Sequence, residues 1–580
     1  MNILGLNIFH ADTSACLIVD GKIICAVEEE RFTRIKHYAG FPINSIKFCL
    51  EQAKLSLHNI DYIALNFNSK YNFFEKLKYS LFKNPVSILK KLSTSYKKNS
   101  IKRILDKSFL SKFNGKIIYV PHHLSHVASS YLCSGFKSAI GLSIDGSGDF
   151  STSETYSCEK EKIILLDKIN YPHSLGIFYQ AFTQFLGFTN YGDEYKVMGL
   201  ASYGKPIYAE KIIKNVIKFK NNKFYLNLSY FSHHTSEFSY YFENGIPVFE
   251  NLFSNKITNL FGSPREISTP ITKFHKDLAS SVQQVFEKVV ISIVKNIYKK
   301  YNPENLVLSG GCAFNSVLNG KIDKLKLFKN IYISSNVGDA GGAIGAGLFV
   351  SNLYDDEFEN KKITHSYYGS HYSNSYIEEN IINKTNLSSI DLEYSFVKDI
   401  DELLNKTVEY LKEKKIVGWF QDKMEWGPRA LGNRSILAHP EDKKVRDKIN
   451  LMVKNREDFR PFAPSILEEN VEEFVDAETK SHFMNYVAVS KNNAIKKIAG
   501  TVHVDNTCRF HSVSKNNNLK FYNLIKKFFD KTGLPAVLNT SLNMNEPICE
   551  NPSQAFDLFA KSSLDVLVLQ NWIFVKKINK

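Results

Sequence analysis

Short hydrophobic runs separated by polar turns organise the first fifty residues of the chain. Residues 3–8, 15–19 and 22–27 are rich in Ile, Leu, Val and Ala and have the length of β-strands. Asp20-Gly21 separates the last two runs, and this dipeptide favours a tight hairpin. A helix is predicted from Pro42 onward. Two hairpin strands followed by a crossover helix indicate a mixed β-sheet.

A second set of elements in the same order begins near Lys116. The run KIIYV predicts a strand, the next residues predict a His-rich helix, and SAIGLSIDGSGDF predicts a further strand and turn. A helix over 276–300, the strand NLVLSGG and the Gly-rich segment GDAGGAIGAG follow. This repetition predicts the α/β fold of a duplicated actin-like ATPase core.

The pattern changes after about residue 353. Residues 354–364 form a polar stretch that is the candidate linker, so we predict domains over 1–355 and 365–580. Residues from about 205 to 270 are rich in aromatics and Asn with weak periodicity, which predicts an insertion in the first domain. The second domain contains a predicted helix over 400–415, the strand IVGWF, Arg-rich loops and a final strand, DVLVLQNWIFV.

Composition limits the class of protein. A chain of 580 residues exceeds what one hydrophobic core organises, and its 43% hydrophobic content suffices for two. No run approaches the roughly 18 apolar residues of a membrane-spanning helix, and the N-terminus enters a strand pattern without a basic leader. These patterns predict a soluble, cytoplasmic protein whose eight cysteines are reduced and mostly buried.

The net charge of +15 raises the question of a polyanionic partner. The lysines are spread along the chain, and their densest run, over residues 83–107, is typical of a solvated helical face. We therefore do not expect nucleic acid to be the partner.

Two histidines in HHLSHVASSY are candidate metal ligands. His122 and His126 lie four residues apart, so on a helix both imidazoles project from one face. Asp339, which ends a predicted strand and precedes several glycines, is the candidate carboxylate ligand. Two His and one carboxylate suit Fe(II), Mn(II) or Zn(II). A structural role is the alternative for a His pair at this spacing.

Three turns that follow predicted strands are candidate phosphate-binding loops. They cover residues 10–15, 145–149 and 338–347, where backbone N–H groups can approach a phosphate closely. In this order they resemble the two phosphate loops and the adenosine loop of actin-like kinases. Glu194 and Lys196 are a charged pair that either forms a wall of the same cleft or is a surface salt bridge.

The second domain is rich in basic residues flanked by Gly, Pro and Trp. The motifs WGPRALGNRS, KNREDFRPFAP and HVDNTCR contain Arg429, Arg434, Lys454, Arg456, Arg460 and Arg509. Arginine can bind phosphate and carboxylate through two parallel hydrogen bonds. NTSLN adds Ser541 and Asn543, which can orient an amide such as a carbamoyl group. A site for a small phosphorylated compound is therefore predicted.

Ten segments, in order along the chain, resemble the NodU/CmcH/TobZ-type O-carbamoyltransferase family. They are EEERFTRIKH, HHLSH, DGSGD, EYKVMGLASYG, GGCAFN, GDAGGAIGAG, EWGPRALGNRSILAHP, REDFRPFAPS, HVDNTCR and NTSLNMNEPI. The resemblance implies an N-terminal domain of the actin-like ATPase (ASKHA) superfamily, similar to tRNA threonylcarbamoyl-transferring enzymes, and a C-terminal YrdC-like α/β domain. The KxR and SxN signature of YrdC-like domains is matched by residues 454–456 and 541–543.

The resemblance also implies two half-reactions. Carbamoyl phosphate and ATP form a carbamoyl-adenylate in the C-terminal domain, and the N-terminal domain transfers the carbamoyl group to a hydroxyl of a sugar or natural product. Fe(II) is the favoured metal, with Mn(II) or Zn(II) as alternatives, and Mg(II) accompanies ATP. A homodimer is the alternative to a monomer.

Residue roles follow from the same resemblance. Carbamoyl phosphate or the adenylate is expected to contact Arg429, Lys454, Arg456, Arg509, Ser541 and Asn543, of which Lys454 and Arg456 also act in catalysis. The metal ligands are expected to be His122, His126 and Asp339. The general base for the acceptor hydroxyl is expected to be His10, with Asp12 as a second catalytic residue. The nucleotide is expected to contact Asp145, Gly146, Gly148, Glu194, Lys196, Gly310, Gly311, Asn315, Gly338, Gly341 and Gly342.

Two positions depart from the pattern of the family. Ala11 separates His10 from Asp12, where the family has His followed directly by Asp. Asn506 stands where the family has Gly, and Asn tolerates the left-handed backbone that Gly adopts there.

Two other functions are compatible with these domain types. One is a tRNA-modifying enzyme that makes threonylcarbamoyl-adenosine, against which the fused domain order and WGPRALGNRS argue. The other is a catalytically silent nucleotide-binding regulator, which predicts eroded ligands, whereas the His pair, Asp339 and the KxR and SxN residues are all present.

Overall fold

The computed structural model describes residues 1–83, 101–109, 111–160, 162–220, 223–235, 240–384, 391–454 and 456–577. Most of the Lys-rich run over 83–107, predicted to be a helical face, and Asn455 of the KxR signature lie outside this range. Contacts divide the chain into an N-terminal unit, residues 1–315 with 326–363, and a C-terminal unit, residues 316–325 with 364–580.

Strands of the first 363 residues follow the predicted runs closely. They are β1 (Asn2–Asn7), β2 (Ser14–Val19), β3 (Lys22–Glu28), β4 (Tyr62–Leu65), β5 (Lys116–Tyr119), β6 (Ser138–Gly148), β7 (Ser151–Glu159), β8 (Lys162–Asn170), β9 (Ile217–Lys220), β10 (Lys223–Leu226), β11 (Tyr240–Glu243), β12 (Ile246–Phe249), β13 (Asn305–Ser309) and β14 (Asn330–Ile333). The predicted strands over 3–8, 15–19 and 22–27 are confirmed as β1, β2 and β3.

Helices alternate with these strands. They are α1 (Glu30–Thr33), α2 (Ile43–Ala53), α3 (Phe73–Lys83), α4 (Ile101–Phe109), α5 (His122–Tyr131), α6 (Leu175–Phe185), α7 (Glu194–Ala201), α8 (Ala209–Asn215), α9 (Asn255–Phe261), α10 (Lys273–Tyr301), α11 (Ser316–Lys324) and α12 (Gly341–Tyr354). The predicted His-rich helix is α5, and the helix predicted over 276–300 is α10.

The N-terminal unit contains two five-stranded sheets of the same topology. The first has the order β3-β2-β1-β4-β5, and the second has the order β14-β13-β6-β7-β8. In each, the first three strands in sequence are antiparallel and the last two run parallel to the first. The predicted duplication of an actin-like core is therefore confirmed.

The segment over 205–270, predicted to be an insertion, forms small elements outside the two main sheets. β9 pairs with β10 and β11 pairs with β12, each as a separate antiparallel hairpin, and α8 and α9 flank them.

Residues 316–325 make their contacts with the C-terminal unit, although they lie between β13 and β14 in the chain. Asn319 of α11 donates to the Asn485 backbone oxygen at 2.9 Å. Asp323 accepts hydrogen bonds from the backbone N–H groups of Glu478 and Thr479.

Strands and helices of the C-terminal unit build a mixed α/β fold. The strands are β15 (Leu392–Phe396), β16 (Val417–Phe420), β17 (Arg434–Ala438), β18 (Ala463–Leu467), β19 (Val475–Asp476), β20 (Val487–Ser490), β21 (Thr507–Arg509), β22 (His511–Val513), β23 (Ala536–Ser541), β24 (Val566–Leu569) and β25 (Trp572–Lys576). The helices are α13 (Asn374–Ile377), α14 (Ile400–Lys412), α15 (Lys443–Lys448), α16 (Val471–Phe474), α17 (Asn492–Ile495), α18 (Leu519–Thr532) and α19 (Pro552–Lys561).

An eight-stranded sheet of order β15-β25-β24-β16-β17-β23-β18-β22 is the centre of this unit, and β19-β20-β21 form a smaller sheet. The prediction of a single final strand over DVLVLQNWIFV is wrong. Gln570 has a φ of 48°, so the run turns there and folds back as the antiparallel pair β24 and β25. Residues on both sides of Gln570 are apolar because both strands pack against the same core. The hydrophobic pattern of the sequence therefore does not reveal the turn between them.

Close packing of α5 against α12 positions the residues at the start of both helices. A Cβ built on Gly345 of α12 would lie 1.8 Å from the backbone oxygen of Ser125 in α5. A Cβ on Gly5 of β1 would lie 2.1 Å from the Ala343 oxygen. The helices and the strand can approach this closely only because glycine lacks a side chain.

No helix among the described residues is long and apolar enough to cross a membrane. Of the eight free cysteines, seven are buried and Cys312 is partly buried. The prediction of mostly buried thiols is confirmed.

We expect Gly345→Ala to destabilise the protein by about 1–3 kcal/mol, because the new methyl group overpacks the contact between α5 and α12. Urea denaturation measures the change in the free energy of unfolding. Gly146→Ala is the matched control, since a Cβ there meets no atom within 4 Å. Equal stability of the two variants would contradict this view of the helix contact.

Candidate functional site

Two buried histidines at the start of α5 face each other across a short gap. The Nε2 atoms of His122 and His126 lie 3.0 Å apart, and the side chains are 2% and 0% exposed. The spacing of four residues places both rings on one face of the helix, as predicted. Their Nδ1 atoms are buried and have no hydrogen-bond partner among the described residues.

Two carboxylates complete this cluster. Asp339, in the turn before α12, places Oδ1 at 3.4 Å from His122 Nε2 and 3.5 Å from His126 Nε2. Asp145, in β6, places Oδ2 at 2.9 Å from His126 Nε2 and 3.7 Å from His122 Nε2. One ligand atom from each of these four residues lies within 4.8 Å of the others.

Asp145 was expected only as a phosphate-loop residue, so its position beside both histidines was missed. It does contact the glycine turns, because its Oδ1 accepts from Gly146 N and its Oδ2 from Gly311 N, at 2.6 and 3.1 Å. The sequence contained one signal that Asp145 belongs to a site, since it is a carboxylate at the end of a predicted strand and precedes two glycines. The pairing with α5 depends on the tertiary structure.

The electrostatics of the cluster favour a cation at its centre. Burial opposes a charge on His126, yet hydrogen bonds to Asp145 and Asp339 raise its pKa to about 9. Burial opposes a charge on Asp145 as well, but hydrogen bonds with His122 and His126 hold its pKa well below the usual range. Two imidazole nitrogens and two carboxylate oxygens in a buried site fit a divalent transition metal ion.

Glycine turns surround this cluster. A Cβ on Gly148 would overlap the ring of His122, at 1.9 Å from Cδ2, and a Cβ on Gly311 would lie 3.1 Å from Asp145 Oδ1. Gly310 has a φ of 81°, a backbone conformation that favours glycine. Gly338, Gly341 and Gly342 flank Asp339 at the start of α12. These glycines, which are predicted to contact a nucleotide, therefore lie next to the predicted metal ligands.

Glu194 and Lys196 lie in α7, and Lys196 forms an ion pair with Asp193 at 2.9 Å. Burial raises the pKa of Glu194 to about 7. Asn315 exchanges hydrogen bonds with Gln283 at 2.9 and 3.0 Å, in a part-buried polar group.

The N-terminal turn carries His10 and Asp12, and it brings His10 close to His122. The His10 ring centroid lies 6.0 Å from that of His122. Asp12 Oδ1 lies 2.7 Å from Nδ1 of His37, a residue to which the sequence assigned no role. Burial opposes the charged imidazole, but the charge of Asp12 raises the pKa of His37 to about 9. His37 ends the family-like segment EEERFTRIKH, which was the one available signal for it.

Lys454 is buried in the C-terminal unit, 1% exposed, against the SxN residues. Its Nζ donates to Asn543 Oδ1 at 2.6 Å, to the Asn543 backbone oxygen at 2.8 Å and to the Ser541 backbone oxygen. Ser541 Oγ donates to Asn543 Oδ1 at 2.7 Å. The structure therefore brings Lys454 of the KxR signature to both named residues of the SxN signature, although Lys454 and Ser541 are 87 positions apart in the chain.

Four arginines of the predicted motifs are near one another in the C-terminal unit. Burial, and then the charges of Arg429, Arg456 and Arg460, hold the pKa of Arg509 well below its usual range. Arg509 Nε is buried and has no hydrogen-bond partner within the described ranges. Arg456 Nε donates to Asn450 Oδ1 at 2.8 Å. Mutual repulsion of this kind is relieved by a bound anion.

Arg434 has a different environment from the other arginines of these motifs. It is fully buried, lies 3.6 Å over the ring of Phe420 and donates to the Ser370 backbone oxygen at 2.9 Å. Its guanidinium links loops of the fold, so the arginine-rich motif mixes structural and candidate binding residues. Asn506 has a φ of 61°, which confirms the left-handed turn predicted before Arg509.

Comparison with known proteins identifies the family. Residues 2–348 match the family model described as carbamoyltransferase N-terminus, and residues 408–576 match the model described as carbamoyltransferase C-terminus. The chain belongs to the carbamoyltransferase family, and the predicted enzyme class is confirmed.

Named relatives span different shares of the chain. Nodulation protein NolNO of Sinorhizobium fredii (strain NBRC 101917 / NGR234) is 33% identical over 98% of this chain and 80% of its own length. The 3'-hydroxymethylcephem-O-carbamoyltransferase of Streptomyces clavuligerus is 27% identical over 41% of this chain and 42% of its own length. A crystal structure of full-length HypF in the phosphate- and nucleotide-bound form aligns with a TM-score of 0.31 and 15% identity, covering 62% of this chain and 47% of HypF.

We expect the ion pair between His37 and Asp12 to make stability depend on pH. Because the pKa of folded His37 is about 9, above the ordinary value of about 6.5, the pair stabilises fully below pH 6.5 and is lost as pH rises through 9. The contribution is about 1 kcal/mol, since solvent screens this partly exposed pair.

Urea denaturation at pH 6 and pH 9.5 measures this effect. His37→Gln should lose stability at pH 6 and match the wild type at pH 9.5, whereas the control His58→Gln, at an exposed position, should follow the wild type at both. A difference between His37→Gln and wild type that is constant with pH would rule the ion pair out.

Proposed function

We propose that the protein is an ATP-dependent O-carbamoyltransferase that uses carbamoyl phosphate and acts through a carbamoyl-adenylate. The observation that carries the proposal is the presence in one chain of two chemically different sites. The C-terminal unit has a buried lysine and a group of arginines suited to phosphate and carbamoyl groups. The N-terminal unit has a two-histidine, two-aspartate cluster beside glycine turns.

In the C-terminal unit, carbamoyl phosphate and water give carbamate and inorganic phosphate. The carbamate oxygen then attacks the α-phosphorus of ATP, which gives carbamoyl-adenylate and pyrophosphate. Arg429, Arg456 and Arg509 are suited to neutralise the phosphate groups. Ser541 and Asn543 are suited to orient the carbamoyl amide, and Lys454, which they hold, to place a positive charge beside its oxygen.

In the N-terminal unit, the acceptor hydroxyl attacks the carbamoyl carbon, the bond to the adenylate oxygen breaks and AMP leaves. A divalent metal ion, when bound, supplies Lewis-acid polarisation of the carbonyl and phosphate oxygens. His122, His126, Asp145 and Asp339 would hold it. Asp145 thus joins the predicted ligand set, and Fe(II) remains the favoured ion, with Mn(II) or Zn(II) as alternatives.

His10 and Asp12 are the candidates for removing the proton of the acceptor hydroxyl. Both lie in one turn, with His10 on the side of His122 and Asp12 paired with His37. His10 is thus the candidate nearer to the cluster, and the carboxylate of Asp12 is held by His37. ATP with Mg(II), carbamoyl phosphate and a hydroxyl-bearing acceptor are the proposed ligands.

We expect Lys454→Ala to abolish adenylate formation, because it removes the buried charge between Ser541 and Asn543. His126→Ala should keep adenylate formation within about threefold of wild type and reduce transfer by at least a hundredfold, since it removes a metal ligand. Carbamoyl-phosphate-dependent exchange of pyrophosphate into ATP measures the first step, and release of the carbamoylated product measures the second.

The matched control for this experiment is Lys448→Ala, which removes only a part-exposed ion pair with Asp565. Equal loss of both half-reactions in His126→Ala, with the fold intact, would contradict the division of labour between the two sites.

We expect Arg509→Met to raise the KM for carbamoyl phosphate by about 10–100-fold, the effect of losing a charged hydrogen-bond donor of about 1.5–3 kcal/mol. The same change should leave the free energy of unfolding of the ligand-free protein unchanged or increased, because Arg509 is repelled by three neighbouring arginines. Arg446→Met, at an ion pair with Asp447, is the control for both measurements. A variant that is strongly destabilised and has an unchanged KM would show a structural role instead.

A further inference from the structure

The first N–H group of α5 has its hydrogen-bond partner outside the helix. The first four N–H groups of any helix have no partner within it. Pro121, which precedes α5, makes no side-chain cap bond. The His122 N–H donates instead to Oδ2 of Asp149, at 3.0 Å. A carboxylate from another part of the chain therefore holds the start of the helix that carries both histidines of the cluster.

Asp149 lies in the tight turn between β6 and β7. Gly148 pairs with Ser151 across this turn. Asp149, which lies between them, has a φ of 49°. Its Oδ2 also accepts from the Asn68 N–H at 2.7 Å, and its backbone oxygen accepts from Asn72 Nδ2 at 3.1 Å. One residue thus joins the β6–β7 turn, the start of α5 and the loop that follows β4.

The loop after β4 also contacts the turn that carries Asp339. Asn66, which is 1% exposed, donates through Nδ2 to the Asp339 backbone oxygen at 3.2 Å. A Cβ built on Gly342 of α12 would lie 2.5 Å from the same Nδ2 atom. Residues 66–68 therefore contact Asp339 at one end and Asp149 at the other.

These bonds tie the backbones of ligand residues from separate parts of the chain to one another. Asp149 follows Asp145 by four residues, just beyond the end of the same strand. It holds the backbone of His122, whose Nε2 lies 3.7 Å from Asp145 Oδ2. The four residues with ligand atoms within 4.8 Å of one another do not include Asp149. Its carboxylate is therefore placed to set the distances between ligands without binding the ion.

We propose that Asp149 is a positioning residue of the metal cluster, which fixes His122 relative to Asp145 and Asp339. This inference rests on the proposed metal site. Partners that orient metal ligands from outside the coordination sphere typically contribute a factor of about 10–100 to metal affinity. Without this carboxylate, the first turn of α5 loses its bond to the β6–β7 turn, and the His122 ring is held less firmly for the ion.

Two substitutions separate the hydrogen bonds of Asp149 from the conformation of its turn. Gly and Asn both tolerate a φ of 49°, but only Asn keeps an oxygen that can accept from both N–H groups. Asp20→Gly is the matched control, since Asp20 is also a turn residue, with a φ of 46°, and its carboxylate contacts the N-terminal amine. It makes the same exchange in the β2–β3 hairpin, which carries no ligand of the cluster.

The test is isothermal titration calorimetry of the metal-free full chain with Mn(II), and with Zn(II) as a second probe. Asp149→Gly should raise the Kd by about 10–100-fold. Asp149→Asn and Asp20→Gly should stay within about threefold of wild type. Urea denaturation of the same variants is the second readout, because a role in stability alone would lower the midpoint of Asp149→Gly and leave its Kd unchanged.

A wild-type Kd in Asp149→Gly, or an equal rise in Asp149→Asn and Asp149→Gly, would overturn the inference. If Asp149→Gly does not fold, Asp149→Ser takes its place, since the shorter side chain withdraws the acceptor from both N–H groups. That variant should raise the Kd about fivefold or more, and an unchanged Kd there would equally overturn the inference. Failure of the wild type to bind either ion would refute the proposed metal site itself.

Discussion

The contact between α5 and α12 is the constraint on which the N-terminal unit depends. α5 carries both histidines, and α12 begins just after Asp339. Their backbones touch at Gly345 and Ser125, and β1 approaches α12 through Gly5. Because packing of this kind tolerates no added atom, the four ligand atoms are held within 4.8 Å of one another before any ion binds.

Both sites place like groups close together, but only one of them is compensated in the ligand-free protein. The Nε2 atoms of His122 and His126 face each other at 3.0 Å, and Asp145 and Asp339 offset their charge. Arg509 instead lies among three arginines that lower its pKa. That repulsion is relieved when an anion binds, which is typical of functional sites in which stability is sacrificed for binding.

The insertion packs against residues near His37 in the folded chain. Its periodicity is weak because two of its short hairpins stand outside the main sheets and bury little core. The β11–β12 hairpin instead continues a line of rings that starts at His37 and Tyr191.

Sequence by itself determined the elements of the fold, since strand and helix periodicity are local properties. It predicted β1 to β3, the duplicated order of elements, the common face of His122 and His126, and the left-handed turn at Asn506. It also brought Lys454 and the SxN residues to one site through family resemblance. Each of these depends on spacing of a few residues or on an ordered set of motifs.

Only the tertiary structure decided which distant side chains meet. Asp145 reaches both histidines through β6, His37 pairs with Asp12 from 25 positions away, and Arg434 turns inward onto Phe420 instead of joining the other arginines. The turn at Gln570 was also hidden, because both strands it joins are apolar. Such contacts are made by packing of elements far apart in the chain, and a one-dimensional pattern does not contain those distances.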